Sequence, residues 1–279
     1  MSTYAISDVH GHFSSFERML DKISFGTEDE LWVLGDILDK GPESAEMLVW
    51  ATSAPENVHF LRGNHEDMAW DVISRDPEGL SGMRIGDRWA ANGGTETIED
   101  LLSKTDADWR YFDLMDWMSS LVPYAVIEIG HEPIALVHAG FDPYYYDLNT
   151  EEDPEHDINL LRELGWTPSS RKRITHDVGG LVGVHDETTM MWIRDSWVFS
   201  NEPCPMKAVF GHTPITEPEM RRILSEVDPN ASGGAGKISH VLNKHGIDCG
   251  MAEPFEATST LGCLRLNDMK EFYVSAFEK

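Results

Sequence analysis

The sequence predicts an α/β fold, with a mixed β-sheet or a pair of sheets flanked by helices. Strand-like runs alternate with helical patterns in the first part of the chain, and strand-like runs dominate its end. Apolar residues make up 41% of the 279 residues, which is enough for a sizeable core and argues against a disordered chain. A chain of this length suits one large domain or two small ones.

The first part of the chain begins with short apolar runs that predict strands, each followed by a helical pattern. The stretch from Ser14 to Glu17 has the spacing of a capping box, which predicts that the first helix begins there. The predicted strands are Tyr4–Ser7, Leu31–Leu34 and Val58–Leu61, and further helices are predicted over Glu43–Ala51, Glu66–Ser74, Thr95–Ser103 and Asp108–Ser119.

The second part of the chain is richer in strands. Val122–Ile129 and Ile134–Val137 are separated by Gly130-His131-Glu132-Pro133, a spacing that predicts a hairpin. Five more strands are predicted, at Lys207–Phe210, Ile238–Val241, Gly246–Ile247, Leu261–Leu266 and Phe272–Ser275.

Between residues 142 and 189 this pattern is lost, and acidic, aromatic, basic and glycine-rich stretches follow one another. We expect a single domain over residues 1–279, with residues 142–189 as an insertion and one helix near Ile158–Leu164. The insertion is either a cap or lid that recognises a substrate, or a surface loop without such a role.

The chain carries 22 basic and 49 acidic residues, for a net charge of −27. Such a field repels phosphate backbones, so we expect no binding to nucleic-acid polymers, and it favours cations near clustered carboxylates. No apolar stretch approaches the roughly 18 residues of a membrane-spanning helix, so we expect no membrane association.

The stretch MSTYAISDVHGH has neither the basic region nor the long apolar region of a signal peptide. Cys204, Cys249 and Cys263 are sparse and lack CxxC spacing, which is typical of a reducing compartment. Both observations lead us to expect a cytoplasmic protein.

Polar residues follow most of the predicted strands directly, usually beside a glycine. In α/β sheets the carboxyl ends of the strands meet at one edge, where ligands bind. A neighbouring glycine allows the backbone to turn sharply and to approach an ion closely. Six residues share this position: Asp8, His10, Asp36, Asn64, His138 and His212.

Carboxylate, amide and imidazole ligands without thiolate suit Mn²⁺, Fe or Zn²⁺. One ion needs only three or four of these six residues, so the set favours two ions that share one aspartate. A two-metal site clamps the attacking and leaving oxygens of a displacement at phosphorus, and it lowers the pKa of a bound water toward roughly 7.

Six short motifs follow one another along the chain in a fixed order. They are DVHG at 8–11, GDILDKG at 35–41, RGNHE at 62–66, HAG at 138–140, WIR at 192–194 and GHTP at 211–214. The series resembles that of the calcineurin-like metallophosphoesterases of the phosphoprotein-phosphatase type. It is most similar to bacterial and phage Ser/Thr protein phosphatases and to diadenosine tetraphosphate hydrolases. The resemblance spans residues 4–141 and 190–266, and it implies a layered α/β/β/α sandwich of two mixed sheets flanked by helices.

The resemblance also implies two divalent metal ions, with Mn²⁺ expected first and Fe or Zn as alternatives. Asp8 and His10 match ligands of the first ion, and Asp36 matches the bridging ligand. Asn64, His138 and His212 match ligands of the second ion. A metal-bound hydroxide would attack phosphorus directly, without a phosphoenzyme.

His65 matches the general acid of this family, and Asp39 matches the carboxylate that orients it and raises its pKa. Arg62 and Arg194 match the arginines that clamp the substrate phosphate, a role that suits the planar guanidinium fork. Lys40 stands where the family usually has Arg, and Asp248 lies in an IDTG-like segment. The contribution of Lys40 and Asp248 to the site stays open.

For the substrate, we predict phosphoserine and phosphothreonine, with phosphotyrosine and aryl phosphates as extensions. The alternative is symmetrical hydrolysis of diadenosine tetraphosphate. Among the proteins that the chain resembles, dinucleoside polyphosphate hydrolases often lack the second aspartate of the GDxxD motif, and their third motif ends in GNHD. This chain has Asp39 and Glu66 at the corresponding positions. A third hypothesis, an inactive phosphopeptide-binding homologue, is disfavoured because all six ligand candidates and His65 are present. The partner is therefore expected to be a phosphorylated protein or a small phosphoester.

Overall fold

The computed structural model describes residues 1–75, 86–104, 111–143, 187–216, 218–252 and 259–277. The strands of this part are β1 (Thr3–Ile6), β2 (Glu30–Val33), β3 (Val58–Phe60), β4 (Tyr124–Ile129), β5 (Glu132–Val137), β6 (Lys207–Phe210), β7 (Ser232–Gly234), β8 (Lys237–Val241), β9 (Lys244–Gly246), β10 (Thr260–Arg265) and β11 (Lys270–Ser275). Its helices are α1 (Phe13–Ile23), α2 (Ser44–Thr52), α3 (Asn64–Ile73), α4 (Asp87–Ala90), α5 (Gly94–Lys104), α6 (Tyr111–Ser120), α7 (Glu187–Trp192), α8 (Asp195–Val198) and α9 (Pro218–Val227).

The strands form two mixed sheets. The first sheet has the order β11-β10-β1-β2-β3, and the second has the order β4-β5-β6-β9-β8-β7. Within the first sheet β1, β2 and β3 are parallel, and within the second β5, β6 and β9 are parallel. The sheets meet just beyond β3, where Leu61 bridges Val122 and the Arg62 N–H donates to the Val122 carbonyl at 2.8 Å.

Side chains that alternate along each strand divide the core into three apolar layers. In β1, Tyr4 and Ile6 face the helices outside the first sheet, whereas Ala5 faces the layer between the sheets, with Leu136 and Val209 of the second. Phe210 belongs to the third layer, which α8 and α9 cover from outside. The predicted sandwich of two mixed sheets between helices is confirmed.

Two predicted helix starts were wrong, for a shared reason. The α1 helix begins at Phe13, and Ser14 directs both its N–H and its hydroxyl to the carboxylate of Glu43 instead of forming a capping box with Glu17. The α3 helix begins at Asn64, two residues before the predicted start, with Gly63 in extended conformation as its N-cap. At α1 the distant Glu43 carboxylate accepts the Ser14 N–H. At α3 the distant Asp36 carboxylate accepts the His65 N–H, while Glu66 of the same helix accepts the Gly63 N–H.

Three further differences are smaller. The β4–β5 hairpin is tighter than predicted, because β5 already begins at Glu132 and only Gly130 and His131 remain as its turn. The sequence pattern did not predict β7 or the helices α4, α7, α8 and α9. Most of the expected insertion, with its helix near Ile158–Leu164, lies outside the described residues. Among the described helices, none combines the length and apolar character needed to span a bilayer.

Candidate active site

The six predicted ligand residues come together at the carboxyl ends of β1, β2, β3, β5 and β6. Each of them is buried: none is more than 4% exposed, and His138 is 0% exposed. Charged and polar side chains are rarely buried to this degree without compensating partners. The cluster therefore requires a physical explanation.

The loops that carry this cluster are strained. The described residues include nine non-glycine residues with positive φ, and six of them lie in or beside the cluster. These six are Asp8 (φ 54°), His10 (φ 45°), Asp36 (φ 54°), Asp39 (φ 70°), Lys40 (φ 68°) and His212 (φ 65°). Left-handed backbone at non-glycine residues costs free energy and is concentrated at functional sites.

At one side of the cluster, the Nε2 atom of His138 faces oxygen atoms that accept hydrogen bonds. Its Nδ1 lies 2.7 Å from the carbonyl oxygen of Leu34, which can only accept, so Nδ1 carries a proton. The Nε2 atom then faces Asn64 Oδ1 at 2.9 Å, His212 Nδ1 at 3.2 Å and Asp36 Oδ1 at 3.4 Å. In a neutral ring the Nε2 lone pair would face the Asn64 and Asp36 oxygens without a donor between them, which a proton on Nε2 or a cation would relieve.

The other side of the cluster is arranged in the same way around His10. Its Nδ1 donates to the Leu38 carbonyl at 3.1 Å, so its Nε2 faces Asp36 Oδ2 at 3.7 Å and Asp8 Oδ1 at 3.8 Å. The ammonium of Lys40 lies 3.4 Å from the same nitrogen, which adds one donor here. The two oxygens of Asp36 therefore face the two sides of the cluster.

The electrostatics of the cluster favour positive charge at its centre. Burial lowers the pKa of His138, but the Asp36 carboxylate outweighs burial and raises this pKa to about 9. Burial raises the pKa of Asp36, but His138 and His65 hold it well below its usual value. Burial, together with His138 and Arg194, lowers the pKa of His212 to about 2, which keeps that ring neutral.

Two groups of three side chains offer metal-ligand atoms that lie within 4.8 Å of one another. One consists of His10, Asp36 and His65, and the other of Asp36, His138 and His212. The Nε2 atom of His212 is buried and has no partner among the described residues. Oxygen and nitrogen donors, an orphaned ring nitrogen and a shared carboxylate all fit divalent metal ions.

Asp8 is fixed by donors from two sides. Its Oδ2 accepts the Ser7 hydroxyl at 2.5 Å and the His212 N–H at 2.9 Å. A Cβ at Gly211 would lie 2.2 Å from this oxygen, so only glycine lets the two strand ends approach so closely. The bond from His212 ties the end of β1 to the end of β6, which joins the two sheets at the site.

His65 and Asp39 form the hydrogen-bonded pair that the resemblance implied. His65 Nδ1 lies 2.7 Å from Asp39 Oδ2, and its Nε2 lies 3.8 Å from Asp36 Oδ2. Burial lowers the pKa of His65, but Asp36 and Asp39 outweigh burial and raise it above its usual value. His65 is thus a candidate proton donor and, by distance, a ligand candidate.

Two residues that sequence reasoning did not assign hold Asp39 in place. The indole of Trp89 donates to Asp39 Oδ2 at 2.9 Å, and the Thr97 hydroxyl donates to Oδ1 at 2.6 Å. Asp39 is 0% exposed, so each hydrogen bond matters to its position. No local pattern in the sequence indicates these contacts, since Trp89 and Thr97 lie 50 and 58 residues after Asp39.

The two arginines differ in how closely they join the cluster. Arg194 Nη1 donates to the carbonyl of His212 at 2.8 Å, directly beside a ligand candidate. Arg62 lies two residues before Asn64, with Nη2 donating to the Met118 carbonyl at 3.3 Å and Nη1 lying 3.9 Å from the Asp67 carboxylate.

Asp248 and Glu66 are buried beside the ligand candidates. Burial and the charge of Asp8 raise the pKa of Asp248 well above its usual value, and its Oδ1 accepts the Gly250 N–H at 2.9 Å. Burial and the charge of Asp36 raise the pKa of Glu66 to about 7. In the sequence, Glu66 distinguished the third motif from the GNHD of the dinucleoside polyphosphate hydrolases, and it had no assigned role in the site.

Comparison with known proteins gives several bacterial relatives that share one curated name. Symmetrical bis(5'-nucleosyl)-tetraphosphatase of Erwinia tasmaniensis is 29% identical over 154 residues, covering 54% of this chain and 48% of the relative. The protein of the same name from Buchnera aphidicola is 43% identical over 152 residues, covering 54% and 47%. The chain thus matches about half the length of these relatives.

A solved structure described as a candidate diadenosine tetraphosphatase superposes with a TM-score of 0.52 at 16% identity, covering 99% of this chain and 94% of that one. This likeness concerns the fold alone. The family model for calcineurin-like phosphoesterases matches residues 1–248, which include all six motifs and every predicted site residue. The chain therefore belongs to the calcineurin-like phosphoesterase family.

Proposed function

We propose that the protein is a metal-dependent hydrolase of phosphate esters and anhydrides, with a dinucleoside tetraphosphate as its first candidate substrate. The observation that carries the proposal is the convergence of buried acceptor atoms on both oxygens of Asp36. Such a cluster is stable only with positive charge inside it, and two cations on a shared carboxylate suit displacement at phosphorus.

The ligand set that we propose is the one that the resemblance implies, and the distances within the cluster support it. Asp8, His10 and Asp36 would hold one ion, and Asn64, His138 and His212, together with Asp36, would hold the other. When bound, the two ions supply an activated water and neutralise charge on the reacting phosphate. The sequence analysis favoured Mn²⁺, with Fe or Zn²⁺ as alternatives, and the donor set suits all three.

The remaining residues act on the substrate directly. His65 donates a proton from Nε2 to the leaving oxygen, while Asp39 holds its Nδ1–H and stabilises the charged ring. Arg194 has a second guanidinium nitrogen for a phosphate oxygen beside its bond to the His212 carbonyl. Arg62, close to Asn64 in the chain, is the second phosphate clamp.

The curated relatives support the choice of substrate. Their name specifies symmetrical cleavage of bis(5'-nucleosyl) tetraphosphates, and they match this chain over about half their length. This ranking reverses the one we drew from the motifs, which placed phosphoserine and phosphothreonine first. The second candidate keeps one specific observation in its favour, the buried His65–Asp39 pair, since a strong general acid is most useful for an alkoxide leaving group.

One assay series separates the two substrates. Purified protein would be incubated with Mn²⁺, Fe²⁺ or Zn²⁺ and with diadenosine tetraphosphate, a phosphoserine peptide, a phosphothreonine peptide or p-nitrophenyl phosphate. We expect two molecules of ADP per diadenosine tetraphosphate, a higher kcat/KM than on the peptides, and loss of turnover in chelator. Peptide hydrolysis without ADP formation would reverse the ranking, and no turnover of any substrate with any of these metals would contradict the proposed activity.

A further inference from the structure

Glu66 is a buried carboxylate that has no role in the mechanism above. It is 1% exposed, although it lies in the first turn of α3, where acidic residues usually face solvent. Its neighbours in the chain are Asn64 and His65, and its carboxylate points back toward the loop that carries Asp36. A buried glutamate in this place needs partners that satisfy its charge.

Those partners are three backbone N–H groups from two different loops. Glu66 Oε2 accepts from Asp36 N at 2.8 Å and from Gly63 N at 2.8 Å, and Oε1 accepts from Ile37 N at 2.9 Å. The first loop follows β2 and the second follows β3. One carboxylate thereby fixes the distance between the two loops that supply Asp36 and Asn64.

The shared ligand candidate is held at its other end as well. Asp36 Oδ1 accepts the His65 N–H at 3.0 Å, while the Asp36 N–H is bound by Glu66. Asp36 has a left-handed backbone with φ of 54°, a conformation that an aspartate keeps only when its surroundings impose it. A Cβ at Gly63 would lie 2.2 Å from Asp36 Oδ1 and 2.8 Å from Glu66 Oε2, so nothing else fits between the loops.

We propose that Glu66 is a positioning residue that sets the geometry of the shared metal ligand Asp36 relative to Asn64. This inference rests on the proposed function, because it takes Asp36 as the carboxylate between two ions. The length of the side chain is essential to the role. Aspartate is shorter by one C–C bond of about 1.5 Å, so it cannot reach the N–H groups of both loops while α3 stays in place.

Glutamine keeps that length but replaces one carboxylate oxygen with an NH₂ group. Because an amide oxygen can still accept from two N–H groups, Glu66→Gln retains part of the network and places a donor against the third N–H. We therefore expect Glu66→Gln to weaken Mn²⁺ binding less than Glu66→Asp does. A residue that mattered only for packing would leave Mn²⁺ binding unchanged in Glu66→Gln, since Gln and Glu have nearly the same volume.

The test measures Mn²⁺ binding by calorimetry and the exchange coupling of the bound Mn²⁺ pair by electron paramagnetic resonance, in the full chain. Mutation of a group that orients a metal ligand typically lowers metal affinity by 10–100-fold. We expect Glu66→Gln to weaken both ions about 10-fold and Glu66→Asp about 100-fold, with an altered coupling signal in each. We also expect kcat to fall more than KM changes.

Asp228→Asn is the matched control. The Asp228 carboxylate also accepts backbone N–H groups from two segments, those of Leu242 and Asn230 at 2.8 Å each, and it lies at the β7–β8 end of the second sheet. This variant loses acceptor oxygens for backbone N–H groups at a distance from the ligand candidates, and it should leave Mn²⁺ binding unchanged. It controls for the general cost of losing such a carboxylate.

Three results would overturn the inference. Wild-type Mn²⁺ affinity and coupling in both Glu66 variants would reduce Glu66 to a structural role. Weakening in proportion to lost stability, with the same effect in Asp228→Asn, would do the same. Both results leave the proposed function intact. Fewer than two ions in the wild-type protein would instead contradict the proposed function, and this inference with it.

Discussion

The two sheets contribute to the candidate site in different ways. The loops after β1, β2 and β3 supply carboxylates, an amide and one ligand histidine, and they contain five of the six site residues with positive φ. The strands β5 and β6 supply two histidines, His138 directly after β5 and His212 two residues after the end of β6. Among the residues that the structure describes, Asp36 of the first sheet faces both sides of the cluster.

This difference shows where the site is most sensitive to change. A strained loop with several carboxylates holds its geometry only through many backbone hydrogen bonds, whereas a histidine beyond a strand end is oriented by one carbonyl. Substitutions in the first half of the site, the loops of the first sheet, should therefore weaken the binding of both ions. Substitutions in the second half, the histidines after β5 and β6, should weaken the binding of one ion.

The largest effect is expected for Asp36→Asn. Neutralising the shared carboxylate removes a negatively charged ligand from both ions, so each should lose more than the roughly 100-fold typical of supporting residues. His212→Ala is the comparison in the second half, and it should lose one ion only. Calorimetry with Mn²⁺ would measure both stoichiometries. If Asp36→Asn lost a single ion, Asp36 would not be the shared ligand.

The next effect is expected for His65→Asn, which removes the proton donor and leaves a polar side chain in its place. Turnover should fall by roughly 10²–10⁴, the usual contribution of a general acid, with both ions retained. The loss should be larger for a phosphoserine peptide than for p-nitrophenyl phosphate, whose leaving group needs no proton. Equal losses on both substrates, together with a lost ion, would make His65 a ligand.

A smaller effect is expected for Trp89→Phe, which removes one of the hydrogen bonds that hold Asp39. A hydrogen bond to a charged group contributes about 1.5–3 kcal/mol, so kcat should fall about 10-fold or somewhat more, without loss of metal. Trp50→Phe is the matched control, because Trp50 packs only against the rings of Phe16 and Phe60 in the described aromatic contacts. A normal kcat in Trp89→Phe would show that Asp39 does not need this donor.

The smallest effect on activity is expected at Lys244, in the second sheet away from the ligands. Its ammonium is buried and donates to the carbonyls of Trp197 and Ser200 at 2.8 and 2.9 Å. Burial lowers the pKa of Lys244 to about 8, so between pH 8 and about 10.5 the unfolded chain holds the extra proton. Stability contributed by this residue therefore rises with pH through that window.

Comparison of the wild type with Lys244→Met isolates the contribution of Lys244 to the pH dependence of stability. The free energy of unfolding of the wild type should rise relative to the variant by about 1–3 kcal/mol between pH 7 and pH 10.5. Denaturant melts at several pH values would measure the difference, and Lys207→Met, at an exposed ion pair with Glu132, serves as the control. If the unfolding free energy of the wild type minus that of Lys244→Met stayed constant or fell with rising pH, the result would contradict a lowered pKa of the buried Lys244 amine.

Much of this account follows from local sequence. Short apolar runs that end in a glycine and a polar residue predicted most strands and the polar residues beyond them. The parts that could not be predicted depend on distant contacts. Trp89 and Thr97 meet Asp39 from 50 and 58 residues away, and no local pattern carries that information.

Glu66 shows a second kind of limit. A glutamate in the first turn of a helix is favourable at the surface for electrostatic reasons, so its sequence context gave no reason to expect burial. Only the structure shows that its carboxylate binds the Asp36, Ile37 and Gly63 N–H groups. The start of α3 was misjudged for the same reason, since Asn64 and His65 are polar residues that sequence rules assign to a preceding loop.

The central claim is that one carboxylate, Asp36, lies between two metal ions, one held mainly by the first sheet and one by ligands from both. Crystals of the full chain grown with Mn²⁺ and measured near the manganese absorption edge test this claim most directly. We predict two anomalous peaks, one on each side of the Asp36 carboxylate. His10 should lie beside one peak, and His138 and His212 beside the other. A single peak, or a pair of peaks that Asp36 does not join, would contradict it.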